Sequence, residues 1–178
     1  MKSSVAEFQR NISDVGRGRL VFLISLTAGH IIVHWYQNLL TLVLPSIKET
    51  LALTDVQIGT VTAARFGTNA AMTLPSGYLA DSYQQRRGFI LAMAIMVFGV
   101  GYAMIGSTHT YAWLLFAAGL VGLGTALWHP GATGALSLQF PDHRGFVLAI
   151  HGVGASIGDA LSPVIVGAII IAISWQST

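Results

Sequence analysis

The chain has 178 residues, of which 53% are hydrophobic and only 9% are Asp, Glu, Lys or Arg; a soluble domain carries about 25% charged residues, so this one lacks the polar material to coat a water-facing surface. The net charge of +2, with no basic run beyond Arg86-Arg87, argues against nucleic-acid binding despite a pI of 9.2, and zero cysteines exclude disulfides, zinc–thiolate sites and iron–sulfur clusters. An integral membrane protein is what remains, and its 20 glycines suit close helix packing in lipid.

Residues 1–19 read as a cytoplasmic N-terminal segment in which Val5, Phe8, Ile12 and Val15 have helical spacing. That segment is either an interfacial helix or a mobile tail. The first apolar run, 20–44, exceeds the roughly 20 residues that cross a bilayer and is too long for a signal-peptide core, so it reads as retained. It carries His30, His34, Gln37 and Asn38; His30 and His34 are four apart and Gln37 continues the stripe, placing three polar side chains on one helical face. A polar turn at 45–55 leads to a second run, 56–80, with Arg65 and Asn69 again four apart. The third run, 88–107, has no such group, the fourth, 111–140, has His129 before Pro130, and the fifth, 145–175, has His151 and Asp159 eight residues on. The last two, at about 30 residues, tilt or extend into the interface. The runs are continuous rather than alternating, which disfavours a β-barrel. The expected fold is therefore all-α and membrane-embedded, a bundle over 20–175 with short turns at 81–87, 108–110 and 141–144 and no soluble domain.

Charge placement sets the orientation. Lys2, Arg10, Arg17, Arg19, Arg86, Arg87 and Arg144 fall on one side of such a bundle, and Lys48 falls on the other. The N-terminus is thus expected in the cytoplasm, in an inner (plasma) membrane. Arg87-Gly88-Phe89-Ile90-Leu91-Ala92 closely matches Arg144-Gly145-Phe146-Val147-Leu148-Ala149, which fits either an internal repeat or shared chemistry of entry into the membrane.

Polar groups in lipid cost several kcal/mol unless they find partners or water. Singly, a buried histidine most often bonds a neighbouring helix, and Arg65 can simply pair with Asp159. As a set, the groups recur on four of the five runs, which points to a water-filled cavity lined by those four helices. Asp159, between apolar neighbours and a cation, suits loading and release of protons with histidines as partners; a purely structural Asp159 is the alternative. No catalytic triad, phosphate loop or metalloprotease motif is present in usable context, so no enzyme, metal or cofactor is expected.

Gly77-Tyr78-Leu79-Ala80-Asp81, closing on Arg86-Arg87, resembles the cytoplasmic signature of the major facilitator superfamily, with Ser82, Gln84 and Gln85 departing from it. The resemblance implies a gating role for Gly77, Asp81, Arg86 and Arg87. Gly154, Gly158, Ser162, Pro163 and Gly167 are similar to the antiporter motif of the drug-efflux members, where small residues let helices approach closely. Gly122 and Gly124 fit a further family pattern whose Arg is Ala118 here. Gly29-His30, Tyr36-Gln37-Asn38 and Pro45, then Trp128-His129-Pro130 with Gly134, then Gly158 to Pro163, resemble the fosmidomycin-resistance branch, in which an Asn-Asp pair commonly stands where Val33-His34 stand here.

The family has twelve spans in two halves, so the resemblance implies five helices forming most of the N-terminal six-helix half, cut before the sixth span and missing the C-terminal half. The function expected is proton-coupled export of a small neutral or anionic molecule by alternating access. The substrate or proton pathway is placed at His30, His34, Gln37, Asn38, Arg65, Asn69, His129, His151 and Asp159. A histidine-ligated haem electron carrier and a non-transporting membrane assembly subunit are the alternatives. Expected partners are the lipid bilayer, the small-molecule substrate and protons, with no nucleic acid.

Overall fold

The computed structural model describes residues 16–173 and Trp175. It contains α1 (Arg17–Thr50), α2 (Asp55–Ser82), α3 (Arg87–Gly106), α4 (Tyr111–Gln139) and α5 (Arg144–Ala172), with a 3-10 turn at Gln84–Arg86 and, among the described residues, no strand. The helical pattern of Val5, Phe8, Ile12 and Val15 lies outside the described residues.

Side-chain caps start two of these helices. Thr54 Oγ1 accepts from the Gln57 N–H and the Gln57 side chain accepts from the Thr54 N–H, a reciprocal capping box before α2. Thr110 Oγ1 accepts from the Trp113 N–H at the start of α4. α1 differs from the sequence expectation: it continues through Pro45 to Thr50, where a turn was expected from residue 45. A membrane helix tolerates proline because packing neighbours and side chains re-satisfy the freed backbone. The turn shrinks to Leu51–Thr54, with Ala52 at φ 50° and buried Leu53 pinning it to the core.

Four helical stretches, Arg17–Thr50, Gln84–Gly106, Tyr111–Gln139 and Arg144–Ala172, are long and apolar enough to cross a membrane. α2 is the fifth helix; Thr and Asn residues and Arg65 dilute its apolar face.

Contacts give the direction of each helix. Going up α1, Thr27, Ile31 and Trp35 meet Gly154, Gly158 and Ser162 of α5 in the same order, so these helices run parallel. α2 runs parallel to α4 through Thr60–Tyr111, Arg65–Gly122 and Gly77–Pro130. α3 is antiparallel to α4, with Gly101 against Val121, Phe98 against Gly124 and Leu91 against Gly131. The bundle thus has two packed groups, α1 with α5 and α4 with α2 and α3. A shared core of buried residues such as Val33, Leu40, Phe98, Leu114 and Leu136 joins them.

Candidate functional site: a histidine cluster between α1, α4 and α5

The joint between the two groups is where the polar residues meet. Gly29 of α1 faces the indole of Trp128 on α4, and a side chain there would run into that ring. This close approach sets the next residue of each helix side by side. His30 Nε2 lies 3.4 Å from His129 Nε2. One turn along α1, the His34 ring is edge-on to His30 at 4.6 Å between centroids and 5.8 Å from His129. His151 of α5 stacks on His30 at 3.9 Å with the rings 7° from parallel. Four histidines expected on three separate helices are therefore one cluster.

The Nδ1 side of three of these rings is occupied. His30 Nδ1–H donates to the His151 carbonyl at 2.8 Å, and His129 Nδ1–H donates to the Thr125 carbonyl at 3.0 Å. His34 Nδ1–H donates to Asp159 Oδ1 at 2.9 Å. Asn38 Nδ2 donates to the same carboxylate oxygen at 2.7 Å and to the His34 carbonyl at 3.1 Å. The burial is graded: His30 and His151 are buried, His34 and His129 half-buried, and the Asp159 side chain is 54% exposed at the bundle surface. Gln37 Nε2 and both ring nitrogens of His151 are buried without a hydrogen-bond partner among the described residues.

Arg65 and Asn69 are not part of the cluster. The pairing of Arg65 with Asp159 considered from sequence is not made: α2 packs chiefly on α4, and the Asp159 carboxylate is taken by His34 and Asn38. Arg65 is buried, donates from Nη1 to Thr41 Oγ1 at 3.3 Å and lies over the Phe66 ring at 4.8 Å. Among the described residues it has no carboxylate within ion-pair distance. Asn69 lies beside Gly122 of α4. The sequence reading missed Thr41, although positions 30, 34, 37, 38 and 41 continue one helical stripe. It also missed Tyr102, whose hydroxyl donates to the Tyr36 carbonyl and accepts from the Leu40 N–H at 3.3 Å, bracing α1 from α3.

At the turn after α2, Arg87 is buried. Its Nε donates to the Ala80 carbonyl at 3.0 Å, Nη1 to the Gly134 carbonyl at 3.2 Å and Nη2 to Asp81 Oδ1 at 3.2 Å. Gly77 meets Pro130 of α4, while Arg86 is exposed. On α5, Gly154 and Gly158 press on α1 and the Ser162 hydroxyl donates to the Trp35 carbonyl at 3.4 Å. Gly167 has nothing within 4 Å of where a side chain would start, and Pro163 is exposed, so neither makes the expected packing contact among the described residues.

The haem alternative meets a geometric obstacle. Axial histidines face each other across a macrocycle, whereas these rings touch directly, stacked at 3.9 Å and edge-on at 4.6 Å.

The sequence profile of the Major Facilitator Superfamily matches residues 26–178. The chain is 23% identical over 146 residues to the Fosmidomycin resistance protein of Escherichia coli, covering 82% of this chain and 36% of that protein. It is 29% identical over 133 residues to a protein of Cupriavidus necator named as a probable sulfoacetate transporter, covering 74% and 30%. It is also 29% identical over 162 residues to the galacturonate transporter of Dickeya chrysanthemi, covering 90% and 46%. The chain thus spans less than half the length of these relatives.

Proposed function

The chain belongs to the major facilitator superfamily, and from that membership we propose that it forms most of the N-terminal half of a secondary transporter that moves a small neutral or anionic molecule by alternating access. It is a multi-pass membrane protein of a transporter family. In this reading α1, α2, α4 and α5 line a water-filled path closed by a second half, with α3 outside it, in an inner membrane with the N-terminus in the cytoplasm. In this reading the His34–Asp159 pair carries the proton that is exchanged as the cargo moves outward. Asp81 with Arg87 and its neighbours Gly77 and Arg86 form the gate.

The cargo class rests on Arg65. Among the described residues this buried guanidinium has one hydroxyl partner and no carboxylate to balance its charge, and desolvating an ion without a partner is expensive. An anion arriving in the path supplies the missing charge and takes up the remaining N–H donors in a bidentate contact. Two of the relatives are named for organic anions, sulfoacetate and galacturonate, which agrees with this chemistry.

Proteoliposomes containing the full-length protein test it with galacturonate, sulfoacetate and fosmidomycin against the lipophilic cation tetraphenylphosphonium. Counterflow of at least one of the first three is expected, reduced about tenfold or more by Arg65→Gln, because truncating one side of a buried charge contact costs roughly 2–5 kcal/mol. His34→Ala should also reduce it. Transport of the cation alone, indifferent to Arg65→Gln and abolished by Asp159→Asn, would make Asp159 a cation site and overturn the reading.

A further inference from the structure

The bonding of the histidine cluster has a consequence for its chemistry. The three acceptors beyond His30, His34 and His129 are two backbone carbonyls and a carboxylate, none of which can donate. Each Nδ1 must therefore carry the hydrogen, and in the neutral ring each Nε2 is left with a bare lone pair. Two of those lone pairs, on His30 and His129, lie 3.4 Å apart, so neither neutral ring can donate to the other there. One ring nitrogen from each of the three residues lies within 4.8 Å of the others.

We propose that His30, His34 and His129 bind a divalent transition-metal cation, of which Zn2+ is the reference, through their three Nε2 atoms. Zinc–nitrogen bonds of about 2.0–2.1 Å in a tetrahedron put neighbouring nitrogens about 3.3–3.4 Å apart, the separation His30 and His129 already have. One nitrogen from each ring already lies within 4.8 Å of the others, and rotation of the half-buried His34 side chain closes the remaining gap on binding. Imidazole suits Zn2+, Cu2+ and Ni2+, while the hard cations Mg2+ and Ca2+ prefer oxygen. The surroundings are those of a built site: each ligating ring hands its other N–H to an oxygen, and for His34 that oxygen belongs to Asp159, itself fixed by Asn38. Such outer partners orient metal-binding histidines and raise their basicity. His151, 2% exposed and stacked on His30, closes the inner wall with two ring nitrogens that have no hydrogen-bond partner among the described residues. Three protein ligands leave one position of a four-coordinate ion for water.

The site is a property of the folded bundle and does not rest on the transporter reading, so binding is measured without transport. The full-length protein, purified with an affinity tag free of histidine, is dialysed against Zn2+ and its metal content determined. Co2+ in place of Zn2+ reports coordination through its visible spectrum. About one ion per chain is expected, with the intense visible bands of four-coordinate Co2+. His30→Gln and His129→Gln should each abolish both signals while the protein stays monodisperse. Asp159→Asn should weaken binding about 10- to 100-fold, and substitution of the loop residues His109 and His143 should leave it unchanged. Undiminished binding in both Gln variants, or less than about a tenth of an ion per wild-type chain, overturns the proposal.

Discussion

Arg87 and Asp81 form one ion pair but bear very different loads. The guanidinium is buried and ties three places together: the last turn of α2 through the Ala80 carbonyl, α4 through the Gly134 carbonyl, and Asp81. The Ala80 carbonyl is one of the last four of its helix, which have no partner within it, so Arg87 caps α2 from the start of α3. Asp81 holds the exposed end, with its side chain 77% accessible, where an ion pair contributes about 0–1 kcal/mol. The two substitutions should therefore separate. Arg87→Ala in the full-length protein is expected to cost about 2 kcal/mol or more, because it strands the buried Ala80 carbonyl and the half-buried Gly134 carbonyl, and to lower the thermal midpoint in detergent. Asp81→Asn should leave that midpoint nearly unchanged and slow transport more than it weakens substrate binding, since a gate biases conformations without touching cargo. Matching losses of affinity and rate in Asp81→Asn would show that it is no gate.

At the level of elements, two helix pairs depend on missing side chains. A methyl at Gly158 would sit 2.5 Å from the Ile31 carbonyl oxygen and 2.8 Å from His34 Cβ, and one at Gly154 would sit 2.7 Å from the Thr27 carbonyl oxygen. Gly122 takes the same close approach to the Arg65 backbone. Gly158→Ala must push α5 off α1, and overpacking of this kind costs about 1–3 kcal/mol; it also displaces His34 from Asp159. Gly167→Ala, into open space, is the matched control. A drop in thermal midpoint for the first and none for the second is expected, and equal effects would refute the packing assignment. The helices were legible because apolar continuity is a local signal, and Gly154, Gly158 and Ser162 because small residues four apart share a face. The end of α1 was misjudged because Pro45 followed by polar residues reads as a turn in water, whereas the helix carries on to Thr50 with Thr50 Oγ1 donating to the Ser46 carbonyl at 2.8 Å. Half of the site was legible for the same local reason: His30, His34 and Gln37 share one helical face, and Asn38 follows in the same run. Their meeting with His129 and His151 depends on which helices pack, and that is decided by distant contacts such as Gly29 against Trp128. Charge matching alone suggested Arg65 with Asp159, but their helices belong to different packed groups.

For the whole molecule, the parallel pairs α1–α5 and α2–α4, the antiparallel pair α3–α4 and the parallel approach of α1 to α3, where Tyr36 meets Phe98 and Leu40 meets Tyr102, require the chain to reverse at each turn. The start of α1, the turn at Gln84–Arg86 and the α4–α5 turn then share one end, and the α1–α2 and α3–α4 turns share the other. Trp175 Nε1–H donates to Thr50 Oγ1 at 3.0 Å, which brings the far ends of α5 and α1 together as this requires. Arg17, Arg19, Arg86, Arg87 and Arg144 lie at the first end. Lys48 lies at the second, where Asp55 pairs with it. Basic residues in short loops remain in the cytoplasm, so the first end is expected to face inward. The absence of cysteine makes the prediction directly measurable, because any introduced thiol is unique in this chain. Gln84, Asp142, Glu49 and His109 are all exposed and accept cysteine without disturbing the core, whereas Thr108 beside His109 is buried and unsuited. A membrane-impermeant maleimide added to intact cells should label the cysteines at 49 and 109 and reach those at 84 and 142 only after lysis. Labelling of 84 and 142 alone in intact cells would invert the molecule, placing the Asp81–Arg87 turn outside and removing it from any cytoplasmic gate.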